Sequence, residues 1–380
     1  MAHVVILGGG FGGLAAAHEL RDLLPGDEIT LVDRADRFYM GFAKLWDLSG
    51  VRPLEDGTAL LSGLSNRSVQ FVHADIGSID PQERRVETSE GTLDADALLV
   101  ALGAGPLPGH LELLQGDGAH DLYDARQLPA MRQALDQIDR GRVVVAILGV
   151  PLKCPPAPYE AAFIVDERLR QRGVRRAVAV AVATPQPMTL PVAGPDASAY
   201  LAGLLAERDI ELLSQHVVQS VDPTRGVIGF DGGREEAYRL LLGVPACAPP
   251  QVVRDSPLAA PSGWIEPHRH SLRTAFDHVY AVGDCTLIPT ANGQLPKAGV
   301  FAAAQGTVAA RNIAADLRGG VIAAFDGVGH CYLELPGRKV ALVEGNFLSD
   351  PPEVGLTEAD EDNFRQKQDY ERDTLAAWLG

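Results

Sequence analysis

Long apolar runs, clustered cysteines and hydrolase motifs are all missing from this sequence. No apolar run approaches the ~20 residues of a membrane span, so the sequence predicts no integral membrane segment. The four cysteines are widely separated and form neither a C-x-x-C pair nor a zinc-ligand set. This spacing argues against a disulfide-stapled fold and predicts no metal site, although a single redox pair is compatible with it. Without H-E-x-x-H or G-x-S-x-G, zinc and serine hydrolase chemistry has no support either.

Positive charge is also in short supply. The chain carries 33 Lys+Arg against 50 Asp+Glu, a formal net charge of −17, which argues against nucleic acid and anionic membrane surfaces as partners. The negative net charge fits binding to a basic partner, and it equally fits a role in solubility alone. The first strand begins by residue 4, which leaves no room for a signal peptide, so we expect a cytoplasmic protein unless a leader has been removed. The length predicts about two to three domains.

The most informative feature that is present is a strand running into a glycine-rich turn. Residues 3–7 are apolar, and a helical run at 14–20 follows the turn. The turn residues that we assign to cofactor binding are Gly8, Gly10, Phe11, Gly12 and Gly13. They contain a G-x-G-x-x-G pattern, in which the backbone approaches a diphosphate lying at the helix N-terminus. A second strand ends at Asp33, where a carboxylate accepts the hydroxyls of an adenosine ribose. The sequence therefore predicts a dinucleotide-binding βαβ unit.

A second βαβ unit follows, but its turn differs. Strands at 143–147 and 177–183 flank a helix at 159–171. The turn keeps one glycine, Gly149, and contains four prolines, which have no N–H for a phosphate and block close approach. The second strand ends at Thr184, without an acid or arginine to bind a ribose. We therefore expect no NAD(P)H here, although some reductases tolerate degenerate turns.

A cysteine stands in this proline-rich turn. Cys154 lies beside Lys153 at the expected start of the helix, and both features favour the thiolate. The remaining strand predictions are short: residues 69–72 and 85–88 are assigned to a hairpin-like insertion, and residues 331–347 to a small β region near the C-terminus. Cys247 and Cys285 have no comparable context and are expected to be packing residues.

Three blocks, at residues 8–13, 101–103 and 280–284, occur in one particular order. In this order the sequence resembles the two-dinucleotide-binding-domain flavoproteins of the pyridine nucleotide–disulfide oxidoreductase superfamily. The resemblance implies FAD, with an aspartate on its ribityl chain and a helix N-terminus at the pyrimidine end of its isoalloxazine, where reduced flavin carries negative charge. The further cofactor-binding residues that it implies are Ala101, Gly103, Gly283, Asp284, Lys297, Ala298 and Gly299. Lys297 contacts the flavin or, alternatively, faces solvent.

Two further segments, at 153–160 and 329–332, look like those of flavocytochrome c sulfide dehydrogenases and sulfide:quinone oxidoreductases. This resemblance implies that Cys154 and Cys331 form a redox-active disulfide above the flavin. It also implies that Glu160 moves protons, whereas a first-turn glutamate otherwise simply complements the helix dipole. The sequence departs from these families in having no cysteine before Cys154 and no thiol in residues 38–42. FAD is therefore expected to be non-covalent.

The expected architecture is α/β, with two Rossmann-like, three-layer ββα domains and a small C-terminal α+β domain. The expected boundaries are residues 1–110 with 255–325 for FAD binding, 111–254 for the degenerate second domain, and 326–380 for the C-terminal domain. The expected function is oxidation of sulfide or a related thiol or persulfide, with a quinone or heme-protein acceptor and a homodimer as one arrangement. The alternatives are an NAD(P)H:acceptor oxidoreductase of the type II NADH dehydrogenase kind and a non-catalytic flavin-binding redox sensor.

Overall fold

The computed structural model describes all of residues 1–380 and contains strands and helices in alternation. The strands are β1 (His3–Leu7), β2 (Glu28–Asp33), β3 (Arg37–Tyr39), β4 (Thr58–Leu60), β5 (Gln70–His73), β6 (Ile76–Asp80), β7 (Arg85–Thr88), β8 (Gly91–Asp94), β9 (Ala97–Val100), β10 (Gly105–Pro106), β11 (Ala119–Asp121), β12 (Gly141–Ile147), β13 (Val178–Ala183), β14 (Ile210–Leu213), β15 (Val218–Asp222), β16 (Val227–Phe230), β17 (Glu235–Ala237), β18 (Leu240–Val244), β19 (Cys247–Ala248), β20 (Val279–Ala281), β21 (Pro289–Thr290), β22 (Gly293–Gln294), β23 (Val328–Leu335), β24 (Lys339–Asn346) and β25 (Glu353–Leu356). The helices are α1 (Phe11–Leu23), α2 (Ala43–Ser49), α3 (Pro108–Glu112), α4 (Leu128–Gln137), α5 (Ala157–Gln171), α6 (Gly194–Glu207), α7 (Gln251–Arg254), α8 (Gly299–Arg318) and α9 (Glu361–Leu379).

The first sheet is parallel and has the order β20-β9-β1-β2-β5. Its strands are nearly continuous apolar runs because both faces are covered. Along β1, Val4 and Ile6 belong to the core on one face, whereas Val5 and Leu7 belong to the core on the other. Helices α1 and α8 pack against each other over this sheet. The parallel strands end together at one edge, where the glycine turn lies.

One strand assignment was wrong. Residues 69–72 were predicted to belong to a hairpin-like insertion, but β5 is the parallel edge strand of the first sheet, with Phe71 opposite Leu31 of β2. The insertion instead consists of the antiparallel strands β6, β7 and β8. The partner of β5 is β2, which is distant in sequence, so local patterning could not assign β5 to the parallel sheet.

The second sheet is also parallel, with the order β11-β18-β12-β13-β14 and α5 packed against it. The strands of the first sheet therefore lie in residues 3–100 and 279–281, whereas those of the second sheet lie between them, in residues 119–244. This arrangement is the predicted pair of Rossmann-like units. The exact domain boundaries remain a prediction; Val253 of α7 packs in the first sheet's core with Val5 and Val279.

The C-terminal region contains the antiparallel sheet β23-β24-β25 and helix α9. Trp378 of α9 packs in the core, with its ring centroid 6.2 Å from that of Phe11 and 6.0 Å from that of Phe38. Phe364 and Leu379 are buried on the same helix. The apolar stripe of α9 thus packs within its own chain. No helix has both the length and the apolar composition needed to cross a membrane.

Candidate active site

A cavity of about 460 Å³ lies at the carboxyl edge of the first sheet, between the two Rossmann-like units and the C-terminal region. This is the edge at which parallel α/β sheets bind ligands. Thirteen of the sequence-predicted site residues line it: Gly10, Phe11, Gly12, Ala101, Gly103, Cys154, Glu160, Gly283, Asp284, Lys297, Ala298, Gly299 and Cys331. The structure thus brings the predicted cofactor-binding residues and both cysteines to one chamber. Gly8, Gly13 and Asp33 do not line it.

The glycine turn has the close backbone packing that a diphosphate cradle requires. A Cβ on Gly8, whose φ is +108°, would lie 2.4 Å from the Ala101 carbonyl oxygen, and one on Gly13 would lie 1.8 Å from the Gly8 carbonyl oxygen. A Cβ on Gly10 would meet nothing within 4 Å. Gly10 is also the N-cap of α1 and supplies no side-chain cap, so the helix end is open to the cavity.

Asp33 faces the same turn from the end of β2. Its carboxylate accepts hydrogen bonds from the Gly9 amide at 2.6 Å and from the Ala35 amide at 2.7 Å. Ala35 and Arg37 follow Asp33 in the chain, and both line the cavity. The carboxylate therefore holds the turn in place, and its contact with a ribose stays a prediction.

The opposite wall of the cavity is built by the segment from Gly283 to α8. Asp284 lines the cavity, and burial raises the pKa of its carboxyl group. Helix α8 begins at Gly299 after the N-cap Ala298, which supplies no side-chain cap, so α8 also presents an open N-terminus. A Cβ on Gly299 would lie 2.6 Å from the ring of Phe11, so any other residue there requires this ring to move. These two open helix ends and the glycine turn fit a long anionic dinucleotide.

Lys297 does not face solvent. Its side chain is buried, and its ammonium group donates to the Thr286 carbonyl oxygen and lies 4.0 Å from the centroid of the Trp264 ring. Burial lowers the pKa of this amine. The solvent-facing alternative was therefore wrong, while contact with the flavin stays a prediction.

Cys154 and Cys331 lie in the cavity wall as free thiols, with no bond joining them. Burial, followed by the charge of Glu160, raises the pKa of Cys154 to about 12. Burial, Cys154 and Glu160 together raise the pKa of Cys331 as well. The expectation that Lys153 and the start of the helix would favour a Cys154 thiolate was therefore wrong, because burial dominates the pKa of this thiol. The Lys153 ammonium group donates to the Ala104 carbonyl oxygen at 3.2 Å.

The backbone of Cys154 is held in an unusual conformation. Its φ is +47°, in the left-handed region that non-glycine residues rarely adopt. The Cys154 amide donates to the Lys297 carbonyl oxygen at 2.8 Å, which ties the turn to the segment before α8. The Tyr123 hydroxyl donates to the Lys153 carbonyl oxygen at 2.6 Å. Contacts from two other elements thus fix the position of this cysteine.

The second turn offers a diphosphate few donors. Its prolines have no N–H, and the Ala157 amide already donates to the Cys154 carbonyl oxygen at 3.0 Å. Tyr159 is fully buried, and its hydroxyl donates to the Thr189 carbonyl oxygen at 2.9 Å, which ties α5 to the loop after β13. This packing supports the prediction that NAD(P)H does not bind at the second turn.

Sequence reasoning missed Lys367 of α9. This lysine is fully buried, lines the cavity, and lies 2.7 Å from a carboxylate oxygen of Glu334 and 3.8 Å from one of Glu160. The rings of Phe42 and Trp46 lie 4.9 and 5.4 Å from its ammonium group. The only sequence signal was that Lys367 lies three residues after Phe364, on the same side of a helix. In a polar segment this spacing alone does not indicate a buried lysine.

Cys247 and Cys285 are buried, as expected for packing residues. The Cys285 thiol lies 3.3 Å from the Val282 carbonyl oxygen, beneath the cavity wall. Neither cysteine lines the cavity. No group of three or more potential ligands is arranged to hold a metal ion.

Comparison with known proteins finds quinone oxidoreductases of similar sequence. A sulfide-quinone reductase from Aquifex aeolicus is 28% identical over 334 residues, covering 83% of this chain and 77% of that protein. The mitochondrial sulfide:quinone oxidoreductase of Mus musculus is 24% identical over 366 residues, covering 92% and 79% respectively. The type II NADH:quinone oxidoreductase of Staphylococcus aureus, a weaker match, is 25% identical over 337 residues and covers 83% of each.

A solved structure and a family model agree with these relatives. The X-ray structure of the sulfide:quinone oxidoreductase from Aquifex aeolicus matches with a TM-score of 0.89 and 24% identity, covering 100% of this chain and 92% of that one. The predicted two-unit α/β fold is thereby confirmed. The model described as pyridine nucleotide-disulphide oxidoreductase matches residues 2–306, which include the glycine turn, Cys154 and Asp284. The chain therefore belongs to the pyridine nucleotide-disulphide oxidoreductase family and is an FAD-dependent oxidoreductase.

Proposed function

We propose that this protein oxidises sulfide, or a related small thiol or persulfide, through Cys154 and Cys331 and passes the electrons through FAD to a quinone. One observation carries the proposal. Two cysteines from separate parts of the chain, the turn before α5 and strand β23, line the same chamber as the glycine turn and the N-terminus of α8. The names of the Aquifex and mouse relatives support the choice of sulfide and quinone.

The cysteines react in this scheme by thiol–disulfide exchange. Hydrosulfide attacks a Cys154–Cys331 disulfide, the bond between the two cysteines breaks, and a persulfide forms on one while the other leaves as a thiolate. A second sulfide or small thiol then takes the outer sulfur of the persulfide, which leaves both cysteines reduced. FAD, when bound, supplies the acceptor for that electron pair, and the disulfide forms again. Each cycle thus removes two electrons from one sulfide sulfur.

The residues around the cysteines suit this exchange. Because burial keeps both thiols protonated, re-forming the disulfide requires a proton acceptor inside the cavity. Glu160 is in the wall of the same cavity, and burial raises its pKa to about 7. At neutral pH this carboxyl group is present in both protonation states, as general acid–base chemistry needs. The role that the resemblance implied for Glu160 is therefore part of the proposal.

The C-terminal wall of the cavity suits a flat, conjugated acceptor. His330, Tyr332 and Tyr370 lie there. The ring centroid of Tyr332 is 4.9 Å from that of His330 and 6.1 Å from that of Tyr370. Aromatic side chains stack on planar ligands and supply a polar edge. This lining favours a quinone over a heme protein as the acceptor. Cytoplasmic localisation, non-covalent FAD and a homodimer stay predictions alongside it.

Anaerobic mixing of the flavin-loaded protein with sulfide, NADH and NADPH in turn tests the function. We expect sulfide to bleach the flavin absorption near its oxidised maximum and both pyridine nucleotides to leave it unchanged. Rapid bleaching by NADH would favour the NAD(P)H:acceptor alternative instead. A flavin that no donor reduces would favour the non-catalytic redox sensor.

A further inference from the structure

Glu160 separates the cysteine cavity from a second, polar cleft. The cleft has a volume of about 240 Å³ and lies between α2, α5 and the turn after β23. Glu167, Glu334 and Arg338 line it, and Glu160 lines both this cleft and the cysteine cavity. Arg338 is exposed to solvent, so the cleft opens at the surface. Leu45 also lines both spaces, so Glu160 is the one ionisable group at the boundary between the buried cysteines and a water-accessible space.

Charged groups on two other elements fix the position of Glu160. The Glu334 amide of β23 donates to its carboxylate at 2.7 Å. The ammonium group of Lys367, on α9, lies 3.8 Å from the same oxygen and 2.7 Å from the Glu334 carboxylate. The Trp46 indole N–H also donates to the Glu334 carboxylate, at 2.8 Å. A fully buried ammonium group is tolerated only with such partners, because burying an unpaired charge is costly.

We propose that Glu160 passes protons between the cysteine cavity and this polar cleft, and that Lys367 and Glu334 are the positioning residues that keep it poised to do so. The inference rests on the proposed function, because it assigns the exit of the protons that the cysteine chemistry releases. A proton leaves a cysteine sulfur, binds a Glu160 carboxylate oxygen, and passes to water in the cleft. The S–H bond breaks, an O–H bond forms and then breaks, and no electrons move in these steps.

The electrostatics around Glu160 support a group that changes protonation near neutrality. Burial raises its pKa to about 7, Lys367 opposes that rise, and the charge of Glu334 adds to it. On the cavity side, the pKa values of Cys154, Cys331 and Tyr123 are themselves raised in part by the charge of Glu160. On the cleft side, the other charged groups in the lining are Glu167, Glu334 and Arg338.

The first experiment measures the titration of Glu160 directly, without turnover. The infrared band of its protonated carboxyl group is identified by its loss in Glu160→Gln. Lys367→Met removes a positive neighbour, so we expect the midpoint to rise by about one unit or more. Glu334→Gln removes a negative neighbour and leaves Lys367 to pair with Glu160 alone, so we expect the titration midpoint of Glu160 to fall by a similar amount. Shifts in the same direction, or none, would overturn the positioning role.

The second experiment follows flavin reduction by sulfide in the same variants across pH. The limb of the rate profile assigned to Glu160 should move with the infrared midpoint, in opposite directions for Lys367→Met and Glu334→Gln. A purely structural role predicts slower reduction in both variants with the limb in place. If sulfide fails to reduce the wild-type flavin, the proposed function fails, while the infrared titration still decides whether the cluster positions Glu160.

The third experiment tests the cleft as the exit. Ser49 lines the cleft, and its hydroxyl donates only to the Trp46 carbonyl oxygen within α2, at 2.9 Å. Ser49→Phe fills the space, and we expect flavin reduction to slow by about tenfold, with a larger solvent deuterium isotope effect. Ser49→Ala loses the same hydroxyl without filling the cleft and should keep the wild-type rate. An unchanged rate and isotope effect in Ser49→Phe would show that protons leave by another route.

Discussion

The turn after β1 and the turn after β12 occupy equivalent places in two βαβ units. They differ in residue type, since the first is rich in glycine and the second in proline. In the first, glycines allow backbone contacts that a Cβ would forbid, and the end of α1 is open to the cavity. In the second, only Gly149 remains beside four prolines, and the first amide of α5 donates to the Cys154 carbonyl oxygen. One scaffold position thus serves as a cradle for an anion in one unit and as a rigid mount for a thiol in the other.

The largest effect should come from closing the glycine turn. In Gly13→Ala the new Cβ would lie 1.8 Å from the Gly8 carbonyl oxygen, so the turn must open. We expect loss of bound FAD and a fall in the free energy of unfolding of at least about 4 kcal/mol. The flavin-to-protein absorbance ratio and urea unfolding measure both. Gly26→Ala, where a Cβ meets nothing within 4 Å, is the control and should change stability by no more than about 0.5 kcal/mol.

The thiol mounted on the second turn should matter for chemistry more than for folding. In Cys154→Ser and Cys331→Ser we expect bound FAD, near-native stability, and flavin reduction by sulfide slowed by about a thousandfold or more, since each removes half of the redox pair. Stopped-flow absorbance measures the rate. Cys247→Ser changes a buried cysteine outside the cavity and should keep the fast reduction. Retained bleaching in Cys331→Ser would remove that cysteine from the scheme.

The first turn of α5 contains an acid, Glu160, whereas the first turn of α1 contains none. Burial raises the pKa of Glu160 from 4.5 to about 7 in the folded protein. The folded state therefore binds more protons than the unfolded chain between these values, and stability should fall as pH rises from about 4.5 to about 7, by roughly 3 kcal/mol. Urea unfolding at several pH values measures this slope. Glu160→Gln should flatten it, and an unchanged slope in that variant would assign it to other groups.

The smallest effect concerns the packing that closes the second turn. Tyr159→Phe leaves the buried Thr189 carbonyl oxygen without its donor, so we expect a loss of about 1 kcal/mol in unfolding free energy. NADH should still fail to reduce the flavin, because the prolines remain. Tyr200→Phe removes a partly exposed hydroxyl and should leave stability unchanged. Flavin reduction by NADH in Tyr159→Phe would mean that this tyrosine, rather than the prolines, excludes the nucleotide.

Much of the frame could be predicted because it depends on local patterns. Runs such as Val143–Ile147 are apolar enough to indicate buried parallel strands, and the glycine spacing locates the cofactor turn. The two-unit fold, the family and FAD are confirmed on that basis. The roles of the individual site residues stay predictions, although most of them line one cavity.

What could not be predicted depends on residues brought together from distant parts of the chain. The pKa of Cys154 follows its burial rather than its neighbour Lys153, and burial is a tertiary property. Strand β5 was misassigned because its partner β2 lies some forty residues earlier. Lys367 looks like a solvated charge in a polar helix, and only the packing of α9 against the cavity shows its pairing with Glu334.

The contact between Phe11 and Trp378 joins the start of the cofactor chamber to a residue 367 positions later. During translation, the glycine turn leaves the ribosome well before α9, and the wall formed by α9 is complete only when residue 378 has emerged. A nascent chain can thus complete its first sheet, whose strand β20 ends at Ala281, before the chamber is enclosed. Cofactor capture in its final, sheltered form consequently has to await the docking of α9.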